Sequence, residues 1–395
     1  MSALLCVLAW ALPVIFALPV IVFCFECLIG LWPEKGVTIA AADAGRFAVV
    51  VPAHDEESGI AETIAALSSE LRPGDRLLVV ADNCSDATAA LARSAGAEVI
   101  ERHDPMRRGK GYALSFAFAH LSTDAPEVVV IVDADCRVSP GSLTRIAALA
   151  ARTGRPVQAD YLLQSPESAA PRSRVSAFAV LVRNRVRPRG LARLGLACQL
   201  TGSGMALRWD AVCAAHPTEG NLVEDLALGL DLARQGRAPL YAGNARITSA
   251  LPVSGRAAEN QRRRWEGGHL ATLVRHVPRM LKAGLLRRDL RCFALGLDLA
   301  VPPLALLVAS LALGCAVAGV ASIGGAGSAA LYAALFELSL VGVAVIGAWA
   351  TEGRRTLPVR EAVAVPLYVL WKLAMYVRLV RDGGQKAWVR THRGA

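Results

Sequence analysis

The chain has 395 residues, 54% of them hydrophobic and 19% charged, with a formal net charge of +10. So apolar a composition excludes a disordered or fibrous chain and is too rich for an ordinary soluble protein. The charged residues of the middle of the chain exclude a plain bundle of membrane helices.

Residues 3–31 (ALLCVLAWALPVIFALPVIVFCFECLIGL) carry one charged residue, Glu26. About 20 apolar residues cross a bilayer, so 1–33 is read as a transmembrane helix. It lacks the basic start and small-residue cleavage site of a signal peptide. Cys24 and Cys27 form a CxxC with no second pair, which reads as packing rather than zinc. The soluble pattern begins with RFAVVV (46–51), a strand ending at Pro52, and AHDEESG opens a helix over 60–71. RPGD is a turn, RLLVVAD a second strand ending at Asp82, and NCSDATAALARSAG a helix with Ser85 as N-cap and Gly96 as its stop. AEVIER is a third strand, residues 109–121 a helix, and VVVIVDADC a fourth strand. Strands alternating with helices predict βαβ units and a largely parallel sheet covered on both faces. Such sheets bind ligands at the carboxyl ends of their strands, where Asp82, Asp133 and Asp135 all fall. PAHDEESG stands where a dinucleotide fold would carry GxGxxG, and no P-loop occurs.

Side chains alternate along a strand, so Asp133 and Asp135 would project to one side with Ala134 pointing away. Paired carboxylates suit Mg2+ or Mn2+. An isolated D-x-D is equally compatible with an Asx turn; the VVVIV strand before it and Asp82 at a neighbouring strand end favour the metal. Glu224 and Asp225 open a helical pattern, where negative charge is favourable in any case, and either acid is a candidate general base. QRRRW (261–265) precedes the basic amphipathic segment HLATLVRHVPRMLKAGLLRR. A juxtamembrane helix on anionic lipid accounts for the arginines but not for Gln261 or Trp265. Spans are expected near 293–320 and 329–350, and a further apolar stretch, 361–380, is interrupted by Pro366, Lys372 and Arg378. The positive middle region and tail place the central domain in the cytosol, with 361–380 in the interface. Arginines 183, 185, 187, 189 and 193 suit anionic headgroups or a lipid diphosphate, which points to a lipid-attached acceptor, or else a solvated basic face. No nucleic-acid-binding motif accompanies the charge, so nucleic acid is not an expected partner.

Taken in order, PAHDEE with Asp82, then DAD, ED and Q-x-x-R-W resemble the membrane-embedded family 2 glycosyltransferases, a group that includes cellulose, chitin and hyaluronan synthases and ceramide glucosyltransferase. The likeness covers about residues 46–270. It implies a GT-A fold, a Rossmann-like mixed and mostly parallel sheet, flanked by transmembrane helices. The implied domains are a membrane helix (1–33), the GT-A domain (46–257), interface helices with QxxRW (258–291), C-terminal transmembrane or interface helices (292–381) and a basic tail (382–395). The implied activity is inverting transfer of a hexosyl or N-acetylhexosaminyl group from a nucleotide-sugar, usually UDP-linked, to a glycan or lipid acceptor at the cytoplasmic membrane. Mg2+ or Mn2+ would be the cofactor.

By position, Pro52, His54 and Glu56 match the strand end that meets the nucleotide, and Asp82 matches the acid that contacts the base. Lys110 matches a basic residue near the diphosphate, and Asp133 and Asp135 match the metal and diphosphate motif. Gly202 and Gly204 resemble the loop beside the donor sugar. Asp225, with Glu224 beside it, matches the catalytic base, and Gln261, Arg264 and Trp265 match the grip on donor diphosphate and acceptor end. Two positions depart from the pattern: Asp55 stands where the family often has Asn, and Val223 where many polymer synthases have Thr. Polymer synthesis and transfer of one sugar to a lipid both remain open. A noncatalytic membrane subunit that binds nucleotide-sugar is the alternative outside enzymes.

Overall fold

The computed structural model describes residues 2–32, 44–166, 170–214, 224–251 and 255–381. In chain order the elements are α1 (Ser2–Gly30), β1 (Phe47–Ala53), α2 (Ile60–Ser68), β2 (Arg76–Asp82), α3 (Thr88–Ser94), β3 (Glu98–Arg102), α4 (Lys110–Leu121), β4 (Val128–Ile131) and β5 (Cys136–Val138). They continue with α5 (Ser142–Thr153), β6 (Val157–Gln164), α6 (Pro171–Leu181), α7 (Arg187–Arg193), β7 (Met205–Arg208), α8 (Trp209–Ala214), α9 (Glu224–Arg234) and β8 (Leu240–Ala250). Helices α10 (Gly255–Arg287), α11 (Leu290–Ala300), α12 (Leu304–Ala321), α13 (Ala329–Ala348) and α14 (Val365–Arg381) complete the chain.

The strands form one eight-stranded sheet in the order β3-β2-β1-β4-β7-β6-β8-β5. Strands β3, β2, β1 and β4 run parallel, as do β6 and β8, whereas β7 is antiparallel to both of its neighbours and β5 to β8. The sheet is therefore mixed and mostly parallel, as expected. Alternation explains why its strands read as unbroken apolar runs. Val49 and Val51 face a core built with Ile60 and Ile64 of α2 and Leu143 and Ile146 of α5. Ala48 and Val50 face the opposite core, built with Leu114 and Ala117 of α4 and Leu228 and Leu232 of α9. With helices on both faces, the buried stretches of the central strands β1, β2 and β4 are apolar on both sides. Pro52 is tolerated inside β1 for a local reason. The Val50 carbonyl takes the Val132 amide on the β4 side, so two residues on the ring nitrogen faces the side where β4 has already ended.

Three local expectations need correction. The fourth strand stops at Ile131, and Asp133-Ala134-Asp135 forms a turn rather than a strand end. The chain must leave β4 there because β5 pairs on the far edge of the sheet with β8, from Cys136↔Ser249 onward. Ser85 does not cap α3. Its amide and hydroxyl both bind Asp55 Oδ1, at 2.6 and 3.2 Å, while Asp86 Oδ1 accepts from the Thr88 amide at 2.9 Å. The expected span at 293–320 is broken: Val301 turns extended (ψ 114°) ahead of Pro302-Pro303, which ends α11 and restarts the chain as α12.

Among the described residues, three helices are long and apolar enough to cross a membrane: Leu4–Gly30, Leu304–Ala326 and Ala329–Gly353. The first is fixed to the globular domain by backbone contact. A Cβ on Gly30 would lie 1.9 Å from the Val186 carbonyl oxygen, and one on Gly190 2.1 Å from that of Glu26, so α1 and α7 cross where both are glycine. Beside the crossing, buried Arg187 pairs with Glu26 at 2.6 Å and Asp298 at 2.5 Å. Gln199 donates to the other Asp298 oxygen at 2.8 Å. Arg185 pairs with Asp160 at 2.6 Å and Glu352 at 3.1 Å, and Arg189 with Glu352 at 2.8 Å. The arginines at 185, 187 and 189 are thus spent on protein carboxylates, neither presented to headgroups nor solvated.

Candidate active site

The Asp133–Asp135 turn closes on a Cys136 amide that donates to the Asp133 carbonyl at 3.1 Å. Thr63 of α2 donates to the Ala134 carbonyl at 2.7 Å and pins the turn from beneath. The two carboxylates still converge, but through the turn rather than through strand alternation. Carboxylate oxygens of both and the Cys136 sulfur lie within 4.8 Å of one another. Burial, then Asp133, pushes the Cys136 thiol up to about 12, so it remains protonated, and it hydrogen-bonds Ser203 Oγ at 3.1 Å. That leaves the two aspartates as a hard oxygen pair, a donor set that fits Mg2+ or Mn2+. Ser249, at the end of β8, donates to Asp135 Oδ2.

Lys110 is the connecting residue. Placed at the first turn of α4, its Nζ donates to Asp133 Oδ1 and, at 2.5 Å, to the Gly202 carbonyl. The Gly202–Gly204 loop is held just above the turn. Gly204 donates to the Ile131 carbonyl at 2.9 Å, and buried Ser203 Oγ accepts from the Asp133 amide at 3.0 Å. Gln158 fastens the loop from below, donating to the Ser203 carbonyl and accepting from the Thr201 amide, both at 2.8 Å. Gly202 and Gly204 take φ of +95° and +72°, conformations that favour glycine. A Cβ on Gly202 would meet Asp225 Oδ2 at 3.2 Å. Asp225 therefore sits against the same loop that Lys110 grips, in the first turn of α9. Burial raises its pKa, Lys110, the Leu226 amide and Arg183 oppose the rise, and Asp133 adds to it.

Asp82 lies on the same edge, two strands away. It is 7% exposed and its Oδ1 accepts from Arg102 at 2.7 Å and from Asn83 at 3.0 Å. The Asp82–Arg102 pair follows from the β2–β3 register. Arg102 lies over the Tyr112 ring of α4, 5.4 Å from its centroid, which links this corner to the helix that carries Lys110. His54 Nδ1 is 2.7 Å from the Asp82 carbonyl oxygen, and the Glu56 amide donates to Thr88 Oγ1 at 2.7 Å. Pro52 lies in β1 just before them. Trp265 of α10 packs half-buried against the core that holds Val49 and Val51. The side chains of Glu224, Gln261 and Arg264 lie outside the described residues; their backbones begin α9 and run within α10.

Asp133, Asp135, Lys110, Gly202 and Asp225 are thus brought together, with Pro52, His54, Glu56 and Asp82 along the same strand-end edge. Ser203, Gln158, Ser249 and Arg102 are site residues that the sequence does not single out. Ser203 was legible only as the residue between two glycines, and Arg102 as the last residue of a strand beside Asp82.

Residues 44–268, more than half of the chain, match glycosyltransferase like family 2. The chain belongs to that family. The probable glycosyltransferase YdaM of Bacillus subtilis is 34% identical to this glycosyltransferase over 123 residues, which make up 28% of this chain and 26% of YdaM. The uncharacterized glycosyltransferase Rv0539 of Mycobacterium tuberculosis is 32% identical over 100 residues, 25% of this chain and 41% of that protein. The matches thus span less than half the length of either relative. Among solved structures, the mannosyltransferase PcManGT from Pyrobaculum calidifontis, in complex with GDP-Man and Mn2+, is similar over 93% of this chain and 99% of that one, with a TM-score of 0.55 at 19% identity. At that identity the likeness concerns the fold, which is GT-A.

Proposed function

We propose that this glycosyltransferase moves a sugar, with inversion, from a UDP-linked donor to a membrane-associated glycan or lipid acceptor on the cytosolic face of the cytoplasmic membrane. The observation that carries the reading is the Lys110 bridge, which ties the Asp133–Asp135 turn to the loop that contacts Asp225. Asp133 and Asp135 would hold Mg2+ or Mn2+, which supplies charge neutralisation at the leaving diphosphate. Lys110 adds a fixed positive charge there, with Arg264, Gln261 and Trp265 assigned to the donor and acceptor end. The strand-end residues Pro52, His54, Glu56 and Asp82 receive the nucleoside. Asp225, with Glu224 beside it, takes the proton of the acceptor hydroxyl. Its raised pKa favours proton uptake, and it lies against the loop that Lys110 grips. General base action accounts for about 10²–10⁴-fold, so positioning and electrostatics supply the rest.

The proposed membrane arrangement has residues 1–33 and two C-terminal spans crossing the bilayer and 258–291 lying on its surface. Helix α14 lies in the interface: Leu367, Leu370 and Val377 are exposed on one face, while Lys372 and Tyr376 are buried on another and bind Glu266 of α10.

The test is binding and hydrolysis of a panel of UDP-sugars by the purified full chain, with and without Mn2+ or Mg2+. Metal-dependent UDP binding and hydrolysis of at least one donor, both lost on chelation, are expected. No binding of UDP or any UDP-sugar in the presence of either metal would overturn the proposal.

A further inference from the structure

The donors around Asp82 are distributed unevenly between its two oxygens. Arg102 reaches Oδ1 at 2.7 Å, and Asn83 Nδ2 reaches the same atom at 3.0 Å. The acid and the guanidinium are largely withdrawn from solvent, with side chains 9% and 11% exposed. Both donors are themselves fixed. Arg102 also donates to the Arg107 carbonyl at 2.8 Å and to Asp104 Oδ2 at 3.2 Å, and it lies over the Tyr112 ring. Asn83 Oδ1 accepts the Asp104 amide at 2.8 Å. Only the oxygen of a side-chain amide can accept a backbone N–H, so Asn83 must turn its Nδ2 donor toward Asp82. The Asn83 amide in turn donates to the Arg102 carbonyl at 2.7 Å, with Asn83 at φ +54°.

A carboxylate oxygen offers about two lone-pair sites, so two donors fill Oδ1. Oδ2 takes no hydrogen bond from any described residue. The acid therefore presents one acceptor oxygen with N–H groups crowded beside it. That pattern distinguishes two bases that both carry a ring N–H. Guanine sets its N1–H beside an exocyclic amino group, and a carboxylate with both oxygens open accepts the two together. Here the amino group would arrive at an oxygen already filled, donor against donor, and would be left without a partner. Uracil sets its single N–H between two carbonyl oxygens. Its N–H is satisfied by Oδ2 alone, and the carbonyl beside it meets donors rather than an acceptor.

We propose that Arg102, together with Asn83, selects uracil over guanine in the donor by capping Oδ1 of Asp82. This rests on the nucleotide-sugar reading above, in which Asp82 receives the nucleoside, and it names the residues that set the choice of base. Arg102 is a positioning residue, since it acts through the acid. Its other bonds explain why the cap stays in place. Asp104 and the Arg107 carbonyl belong to the segment between β3 and α4, and Tyr112 belongs to α4 itself. The guanidinium is thereby anchored to the helix that carries Lys110, so the residue that caps the base-reading acid is tied to the one beside Asp133.

The test is calorimetric binding of UDP and of GDP, each with Mn2+, to the detergent-purified full chain. The wild type should bind UDP more tightly. Arg102→Met reopens a lone pair on Oδ1, so UDP affinity should fall while GDP affinity falls less or rises. The UDP-to-GDP preference should shrink by about 10- to 100-fold, the range of a hydrogen bond to a charged group. Arg102→Lys keeps the charge and one donor and should restore most of the preference. A merely structural role would lower both affinities alike. An unchanged ratio in Arg102→Met, folded by its thermal midpoint, would overturn the selection, as would a wild type that binds GDP as tightly as UDP. If Arg102→Met does not fold, Asn83→Gly decides on the same ratio, because it removes the other Oδ1 donor and glycine accepts the positive φ. Failure of the wild type to bind either nucleotide would count against the nucleotide-sugar reading instead.

Discussion

Replacing Gly202 by alanine separates the fold of the glycine loop from its role in placing Asp225. At φ +95° an L-residue costs about 1–2 kcal/mol. The added methyl would lie 3.2 Å from Asp225 Oδ2, so the carboxylate must yield by a few tenths of an ångström. Misplacing a reacting group by about 1 Å can cost 10²-fold in rate, so a fraction of that shift should cost roughly 10-fold. Gly202→Ala should therefore lose about 1–2 kcal/mol in chemical denaturation and transfer more slowly, with UDP affinity little changed. The assay is a double-mutant cycle with Asp225→Asn, following transfer from radiolabelled donor. If the methyl acts through Asp225, Gly202→Ala adds little to the loss already caused by Asp225→Asn. Full additivity of the two losses would refute that coupling.

Further expectations concern the frame and the acid chemistry. Arg187→Met leaves Glu26 and Asp298 buried without a counter-charge and should cost about 3–5 kcal/mol; thermal unfolding in detergent measures it, and Glu26→Gln with Asp298→Asn in the same chain should recover most of the loss. Because burial raises the Asp225 pKa, its carboxylate forms only above the ordinary Asp range. The transfer rate should then rise with pH through a limb displaced upward and fall as Asp225 takes up its proton on the acid side. Lys110→Met removes the strongest opposing influence and should move that limb higher still, as a pH profile of kcat would show; a limb that moves down contradicts the assignment.

The first half of the sheet was legible because its physics is local. RLLVVAD forms β2 over Arg76–Asp82, as read, since the run LLVVA is buried on both faces of the sheet. The acidic turn was legible as chemistry but not as shape. Nothing within VVVIVDADC reports that the strand pairing beyond Ile131 is lost, or that Cys136 will pair with Ser249, more than a hundred residues on. Strand β8 (LYAGNARITSA) escaped for a related reason. Gly243, Asn244 and Arg246 dilute its apolar pattern near the irregular register with β6. The arginines of RNRVRPRGLAR looked like a headgroup patch because their partners Glu26, Asp160, Asp298 and Glu352 arrive from four distant elements. The order PAHDEE, DAD, ED, QxxRW carried the family and the fold, and long-range hydrogen bonds alone revealed Ser203, Gln158 and Ser249.

The claim that acids from separate elements serve one donor is tested most directly by Asp225→Asn, measuring Mn2+-dependent UDP affinity and transfer rate on the same purified protein. Retained affinity with transfer reduced by about 10²–10⁴-fold is the predicted result. Turnover comparable to that of the wild type would contradict it.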